Sequence, residues 1–346
     1  MLSKENFTKD YIERLRKQNR LDPMLLERTI YAFGLLEALA RVGMPFIFKG
    51  GTSLMLLLNK PRRLSTDIDI IVEGDVEIEG YIQDAAKLFP FLGMEEQTRR
   101  GKNDIIKRHF KFTYDSPVSG RPFYILLDIL FEKNHYSQVT QKNIVNELLL
   151  TEEPYFPVTV PTVDCILGDK LTAFAPHTTG IPFGVNKELE IIKQLYDIAS
   201  LVEMCQSMRD VRGSYLETVQ SELQYRGLEI TVDEVLADTI DASVCIASRG
   251  MYNATEYQYY LNGIRKIVNF IFAERFSGEL AVLAACKVFY MAACILKEAP
   301  FVRIENSAPY ANGRISDERY KKLMTLRKLD LKAFAYAVEA VKLLTE

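Results

Sequence analysis

The sequence holds no disulfide framework and no zinc ribbon. Its five cysteines, Cys165, Cys205, Cys245, Cys286 and Cys294, are scattered without a Cys-x-x-Cys pair, which fits reduced thiols in a cytoplasm. Basic charge is not in excess either: 43 Lys+Arg stand against 46 Asp+Glu, a formal net charge of −3 over 346 residues. That balance excludes coating nucleic acid by bulk charge and leaves only a local basic groove open. The apolar runs fall short of the ~20 residues that cross a bilayer, and the opening MLSKENFTKDYIERLRKQNR lacks the core of a secretory signal. There is no repeat of fixed period and no low-complexity tail. What the chain does have is 48% hydrophobic, 11% aromatic and 26% charged residues, enough to bury the cores of about two domains of ~150 residues. The expectation is a folded, cytoplasmic chain with no membrane partner.

The pattern changes once along the chain. Residues 1–43 read as two helices, the second carrying Leu26, Ile30, Phe33, Leu36 and Ala40 at helical spacing. Short β-rich runs follow at 46–49, 67–72, 106–114 and 122–131, with helical candidates at 52–59 and 80–89. The loop-rich passage EEPYFPVTVPTVDCILGDK then leads to helices at 164–175, 187–206, 210–225, 231–247, 255–276, 279–298 and 317–344. The fold class is therefore α+β: residues 1–160 form a mixed-sheet core with N-terminal helices, and residues 161–346 form a helical domain.

Chemistry concentrates in FKGGTSLMLLLNKPRRLSTDIDIIV. A strand delivers Lys49 to the Gly50-Gly51 turn, and Thr52 and Ser53 open a helix. Paired glycines let a phosphate approach backbone donors, and hydroxyls with free amides at a helix start are anion ligands. The same four residues read equally as a hydroxyl-capped β-to-α turn. Asp67 and Asp69 say more, since a period of 2 puts both carboxylates on one face of a strand, where a divalent cation would relieve their repulsion. A solvent-facing edge paired with Arg62 or Arg63 is the other reading. Asp128 interrupts the apolar YILLDILF, where a charge needs either metal ligation or a salt bridge. Three carboxylates on adjacent strands would make the acidic centre of a two-metal phosphoryl transferase. Further on, Lys170 at a helix start is placed to reach triphosphate. Lys193 and Asp197 lie four residues apart on the next helix, the spacing of an ordinary surface pair. His177, in the HTTGIPFG break, reads as a loop or packing residue.

Taken together, Lys49-Gly50-Gly51-Thr52-Ser53-Leu54, Arg63-Leu64-Ser65 and Asp67-Ile68-Asp69, with Lys170 and Asp197 beyond, resemble the AbiEii-type nucleotidyltransferase toxins of type IV toxin–antitoxin and phage abortive-infection systems. The resemblance implies a polymerase-beta-like nucleotidyltransferase core, with the helical domain as the second wall of the cleft. It implies that Asp67 and Asp69, joined by Asp128, hold one or two Mg²⁺ ions. By the same likeness the Lys49–Ser53 segment lies at the nucleotide phosphates and Ser65 beside the metal site. Lys170 would neutralise phosphate charge, and Asp197 would position Lys170 or the acceptor. The interval from Lys170 to Asp197 is longer than the family pattern leads one to expect. The implied reaction moves a nucleotide from a nucleoside triphosphate to an RNA, tRNA included, or to a protein acceptor, with an antitoxin encoded nearby as a further partner.

Two other readings remain at this stage. The chain is then a nucleotide- or RNA-binding module without catalysis, or a regulatory protein whose Tyr252, Tyr257, Tyr259 and Tyr260 present an aromatic surface to a partner. A basic cluster, Arg99-Arg100-Gly101-Lys102 with Lys107-Arg108 and Arg62-Arg63, would guide a phosphate backbone if it ringed the cleft.

Overall fold

The computed structural model describes residues 1–97, 107–271 and 275–345, and the chain divides into two compact units. The first comprises Met1–Thr162 with Asn269–Arg275, the second Val163–Val268 with Phe276–Glu346.

The first unit opens with α1 (Lys9–Asn19) and α2 (Pro23–Arg41). Both start on side-chain caps: Tyr11 N donates to Thr8 Oγ1, and Leu25 N donates to Asp22 Oδ1. Pro23 sits in the first turn of α2, where a missing N–H costs nothing. There follow β1 (Ile47–Lys49), α3 (Gly50–Leu57), β2 (Ile68–Val72), α4 (Glu79–Ala86), β3 (Gly93–Gln97), β4 (Lys107–Asp115), β5 (Pro122–Phe131), β6 (Val139–Asn143) and β7 (Pro157–Pro161). Among the described residues the strands form one sheet in the order β3-β4-β5-β2-β1-β7-β6. The sheet is mixed: β2 runs parallel to β5 and antiparallel to β1, while β1 runs parallel to β7.

Alternation along the central strands sorts their two faces. Phe110, Phe112, Ile125, Leu127, Ile129, Ile68 and Ile70 are at most 2% exposed, and α2 packs on β2 and β5. Burying these side chains is the main stabilising term of the unit. Glu27 of α2 is fully buried and compensated: Tyr114 Oη and Ser116 Oγ each donate to its carboxylate at 2.9 Å, and Val118 N at 3.0 Å. On the opposite face Lys49, Asp69, His109 and Asp128 are half-buried.

The β-rich runs expected at 46–49, 67–72 and 122–131 are β1, β2 and β5. The sequence reading lacks β3, β6 and β7. Two of these, GMEEQ and VTQKN, are the sheet edges, where polar residues leave no apolar alternation to detect. The third, PVTVP, is bracketed by prolines and so reads as loop.

The second unit is helical: α5 (Val163–Ala173), α6 (Glu188–Val202), α7 (Met208–Arg226), α8 (Val232–Ala247), α9 (Ala254–Ile267), α10 (Gly278–Leu296), α11 (Leu326–Leu329) and α12 (Leu331–Thr345). Two expected helices are corrected. The 255–276 helix stops at Ile267, and the segment after it belongs to the first unit, where Leu64 N donates to Phe270 O at 2.7 Å. The 317–344 helix is broken into a 3₁₀ turn at Lys321–Thr325, α11 and α12. Its break is chemical: Lys332 N and Ala333 N both donate to Asp330 Oδ1 at 2.9 Å, so Asp330 caps a new helix start. α10 is long and apolar enough to cross a membrane by length and composition, contrary to the expectation that the apolar runs fall short. It is 72% buried within the protein and packs against α6, α8 and α12, as a core helix does.

Candidate active site

The first unit assembles a row of polar side chains across four strands. Lys49 of β1 is in register with Asp69 of β2, Asp69 with Asp128 of β5, and Asp128 with His109 of β4. Residues paired across neighbouring strands share a face, so these four stand side by side, with ~4.8 Å between strands. The row lies opposite the face filled by Ile68, Ile70 and Leu127. His109 Nδ1 lies 2.6 Å from Asp128 Oδ1, and the Lys49 ammonium lies over the Tyr136 ring, 5.8 Å from its centroid.

The glycine turn is built around Asp69. Gly50 has φ +78°, and a Cβ there would fall 2.1 Å from Asp69 Oδ2. No other residue type leaves both the backbone and the carboxylate where they are. At Gly51 a Cβ would meet Arg63 Nη2 at 2.5 Å and Ser65 Oγ at 2.9 Å. The three motif segments, Lys-Gly-Gly-Thr, Arg-x-Ser and Asp-x-Asp, are thus packed on one another. Arg63 is buried, and its Nη1 donates to Leu64 O at 3.0 Å.

Thr52 and Ser53 spend their hydroxyl hydrogens inside the turn: Thr52 Oγ1 donates to Asp67 O at 2.6 Å, and Ser53 Oγ donates to Gly50 O at 2.9 Å. What the turn offers an anion is therefore backbone N–H, because Lys49 at the start of α3 makes no side-chain capping bond. Asp67 precedes β2, is 45% exposed at its side chain, and its Oδ1 accepts from Arg28 Nη2 at 3.3 Å. Among the described residues no three His, Cys, Asp or Glu side chains converge as a group that could hold a metal ion. Asp69 and Asp128 stand as neighbours, while Asp67 is engaged by Arg28.

One substitution isolates the seat of Asp69. Gly43 has φ +72°, close to that of Gly50, but nothing lies within 4 Å of a Cβ placed there. Gly43→Ala should cost only the left-handed backbone strain of about 1–2 kcal/mol. Gly50→Ala should add the clash with Asp69 and lower any reaction at this row by roughly 100-fold, the scale of a 1 Å misplacement. Urea unfolding and activity of both variants, measured together, separate strain from displacement; equal activities would show that Asp69 tolerates the shift.

In the second unit, Lys170 lies in the last turn of α5, not at a helix start as expected; its Nζ is 2.8 Å from Asp197 Oδ2 of α6 and donates to Gln194 Oε1 at 3.1 Å. The long interval between the two residues does not separate them. Lys193, on the same helix, is 3.9 Å from Glu190 Oε1.

Residues 35–281, more than half of the chain, match the family described as nucleotidyl transferase AbiEii toxin, type IV TA system. The chain belongs to the AbiEii family. No curated protein matches it. Among solved structures it is similar to JHP933 from Helicobacter pylori, at 14% identity and a TM-score of 0.43 over 79% of this chain and 93% of that one. It is also similar to an antigenic nucleotidyltransferase-like protein from Paracoccidioides brasiliensis, at 16% identity and a TM-score of 0.36 over 58% of this chain and 91% of that one. Its fold is that of a nucleotidyltransferase-like α+β core followed by a helical domain.

Other expected features of this AbiEii chain fall differently. Arg99, Arg100, Gly101 and Lys102 lie outside the described residues. Arg108 is held by Glu79 and, at 2.7 Å, by Glu96, and its hydrogen bonds draw both carboxyls below their usual range. With Arg63 packed on Gly51, neither arginine forms part of an open basic rim. Of the four tyrosines, Tyr260 is buried and Tyr252, Tyr257 and Tyr259 are half-buried, with Phe183 stacked on Tyr259 and edge-on to Tyr260. His177 is a loop anchor, its backbone N donating to Asp238 Oδ2 at 2.8 Å and its Nε2 lying 3.1 Å from Glu256 Oε1. His109 joins this candidate row, where the sequence expectation did not include it. Its signal was the alternation in HFKFTY, which sets His109 opposite in facing to Phe110 and Phe112.

Proposed function

We propose that this AbiEii chain is a Mg²⁺-dependent nucleotidyltransferase that moves a nucleotide from a nucleoside triphosphate to an RNA, tRNA included, or to a protein acceptor. In this reading it is the toxin of a type IV toxin–antitoxin system, with a partner antitoxin encoded nearby. The observation that carries it is the register Lys49–Asp69–Asp128, with Asp69 seated against the Gly50 backbone.

The residues suit a magnesium ion in their donor chemistry. Asp69 and Asp128 are hard carboxylate donors on neighbouring strands, and Asp67 adds a third two residues away, the oxygen-only set such an ion prefers. When bound, Mg²⁺ polarises phosphate and hydroxyl oxygens in an in-line displacement. In this proposal Asp69 and Asp128 would hold it as neighbours in register, with Asp67 as a third ligand once drawn from Arg28, and Asp128 would also orient the acceptor hydroxyl. The amides of the Lys49–Ser53 segment bind phosphate, and Ser65, packed on Gly51, supports that turn. Within the helical unit, Asp197 fixes the Lys170 ammonium, and in this reading that cation meets phosphate charge.

The test is incubation of the protein with each α-labelled nucleoside triphosphate and either total RNA or total protein, with Mg²⁺ or with a chelator. Label should enter one acceptor class with Mg²⁺ and neither with chelator. Absence of transfer from all four nucleotides to both classes would end the reading.

A further inference from the structure

We propose that His109 is a positioning residue for Asp128, holding one carboxylate oxygen so that the other is presented toward Asp69 and the metal ion the two would share. The inference rests on the proposed function of this row and adds a residue to it.

The sheet makes the contact specific. Along β4, Phe110, Phe112 and Tyr114 fill the buried face, at 2%, 0% and 0% exposure. His109 consequently points with Lys111 and Thr113 to the half-buried face, in register with Asp128. The side chains are 14% and 34% exposed, and the Nδ1···Oδ1 distance is 2.6 Å. An ionised carboxylate can only accept, so Nδ1 carries the hydrogen and donates it. A hydrogen bond that short to a charged acceptor is a strong one, and it restrains the carboxylate's rotation.

The restraint matters because of the neighbour on the other side. Asp128 stands between His109 on β4 and Asp69 on β2. Two adjacent ionised carboxylates repel one another, which opposes a shared ligand geometry. Taking Oδ1 with a donor from the far strand leaves Oδ2 as the oxygen free to ligate, and disperses part of the negative charge. Partners that orient ligating groups in this way typically govern metal affinity or activity by about 10–100-fold. A cross-strand pair with a merely structural role would change stability and leave metal affinity alone.

The experiment measures Mn²⁺ affinity by calorimetry and nucleotide transfer for wild type, His109→Ala, His109→Asn, Asp128→Asn and the His109→Ala/Asp128→Asn double variant, with thermal unfolding of each. His109→Ala should bind Mn²⁺ about 10–100-fold more weakly and lose kcat by a similar factor, with KM for the nucleotide changed far less. His109→Asn keeps an N–H donor near the Nδ1 position and should recover most of both losses. The double variant should be no worse than Asp128→Asn alone, because His109 acts through that carboxylate. Wild-type Mn²⁺ affinity in a folded His109→Ala, or no recovery in a folded His109→Asn, would overturn the assignment. If the wild-type protein binds Mn²⁺ without transferring nucleotide, the proposed reaction falls while the affinity data still decide the role of His109. A wild-type protein that binds no Mn²⁺ defeats both.

Discussion

Asp69→Asn is expected to lower nucleotide transfer by about 10³-fold, the equivalent of roughly 4 kcal/mol of transition-state stabilisation, while leaving the folded state as stable as before. The two halves of that result have separate causes. Asn keeps the size of the side chain, so it still fits against the Gly50 backbone, where Asp69 Oδ2 lies 2.1 Å from a would-be Cβ. What is lost is the charge that binds and orients a divalent cation. Stability should hold within about 0.5 kcal/mol, because the position is half-buried and because neutralising it relieves repulsion from Asp128 in the adjacent register. Asp128→Asn should behave alike in transfer. Asp67→Asn should also lose transfer, although its side chain is engaged by Arg28 at 3.3 Å, so some stability is lost with it. Label transfer measured beside thermal unfolding separates these outcomes. Undiminished transfer by Asp69→Asn and Asp128→Asn would remove the row from the mechanism.

The site was legible where its chemistry lies close in sequence. Gly50-Gly51, Arg63, Ser65, Asp67 and Asp69 fall within twenty residues, and a period of 2 with two glycines already assigns faces and a turn. Asp128 was legible by contrast, a charge inside an apolar strand. His109 was not, because its partner is nineteen positions away and only the β4–β5 register brings them together. The same limit explains Thr52 and Ser53. From sequence their hydroxyls look available to an anion, but the fold closes them onto the carbonyls of Asp67 and Gly50. In the fold, the central strands announce themselves through β-branched and aromatic alternation, whereas the edge strands β3 and β6 have no apolar face to betray them. The segment after Ile267 illustrates a different limit. Its residues read as helix by composition, yet the chain leaves the helical unit there to pair Ile271 with Arg63, a tertiary contact that no local pattern encodes.

Lys170→Ala is expected to destabilise the helical unit by about 3–5 kcal/mol, the cost of leaving a buried carboxylate without its counter-charge. From sequence alone Lys170 reads as a phosphate-facing cation whose loss weakens triphosphate use more than stability. In the structure its side chain is 7% exposed and that of Asp197 2%, with 2.8 Å between Nζ and Oδ2. Gln194 accepts a further hydrogen bond from the ammonium at 3.1 Å, so the pair is tied to α6 at two points. Removing either member alone therefore strands a buried polar group, and Asp197→Ala should cost a similar amount. Replacing both at once, Lys170→Met with Asp197→Leu, should recover most of the loss, since apolar side chains of similar volume pay no desolvation. Lys193 provides the control: its ammonium lies 3.9 Å from Glu190 Oε1 and its side chain is 18% exposed, so Lys193→Ala should shift stability by no more than about 0.5–1 kcal/mol. Urea unfolding of the four variants gives the cost of each single loss and the recovery by the Met/Leu pair. Transfer kinetics of the Met/Leu double variant then assign the pair's purpose: a stable protein that no longer uses nucleotide places Lys170 in the chemistry, and one with normal kinetics confines the pair to the architecture of the helical unit.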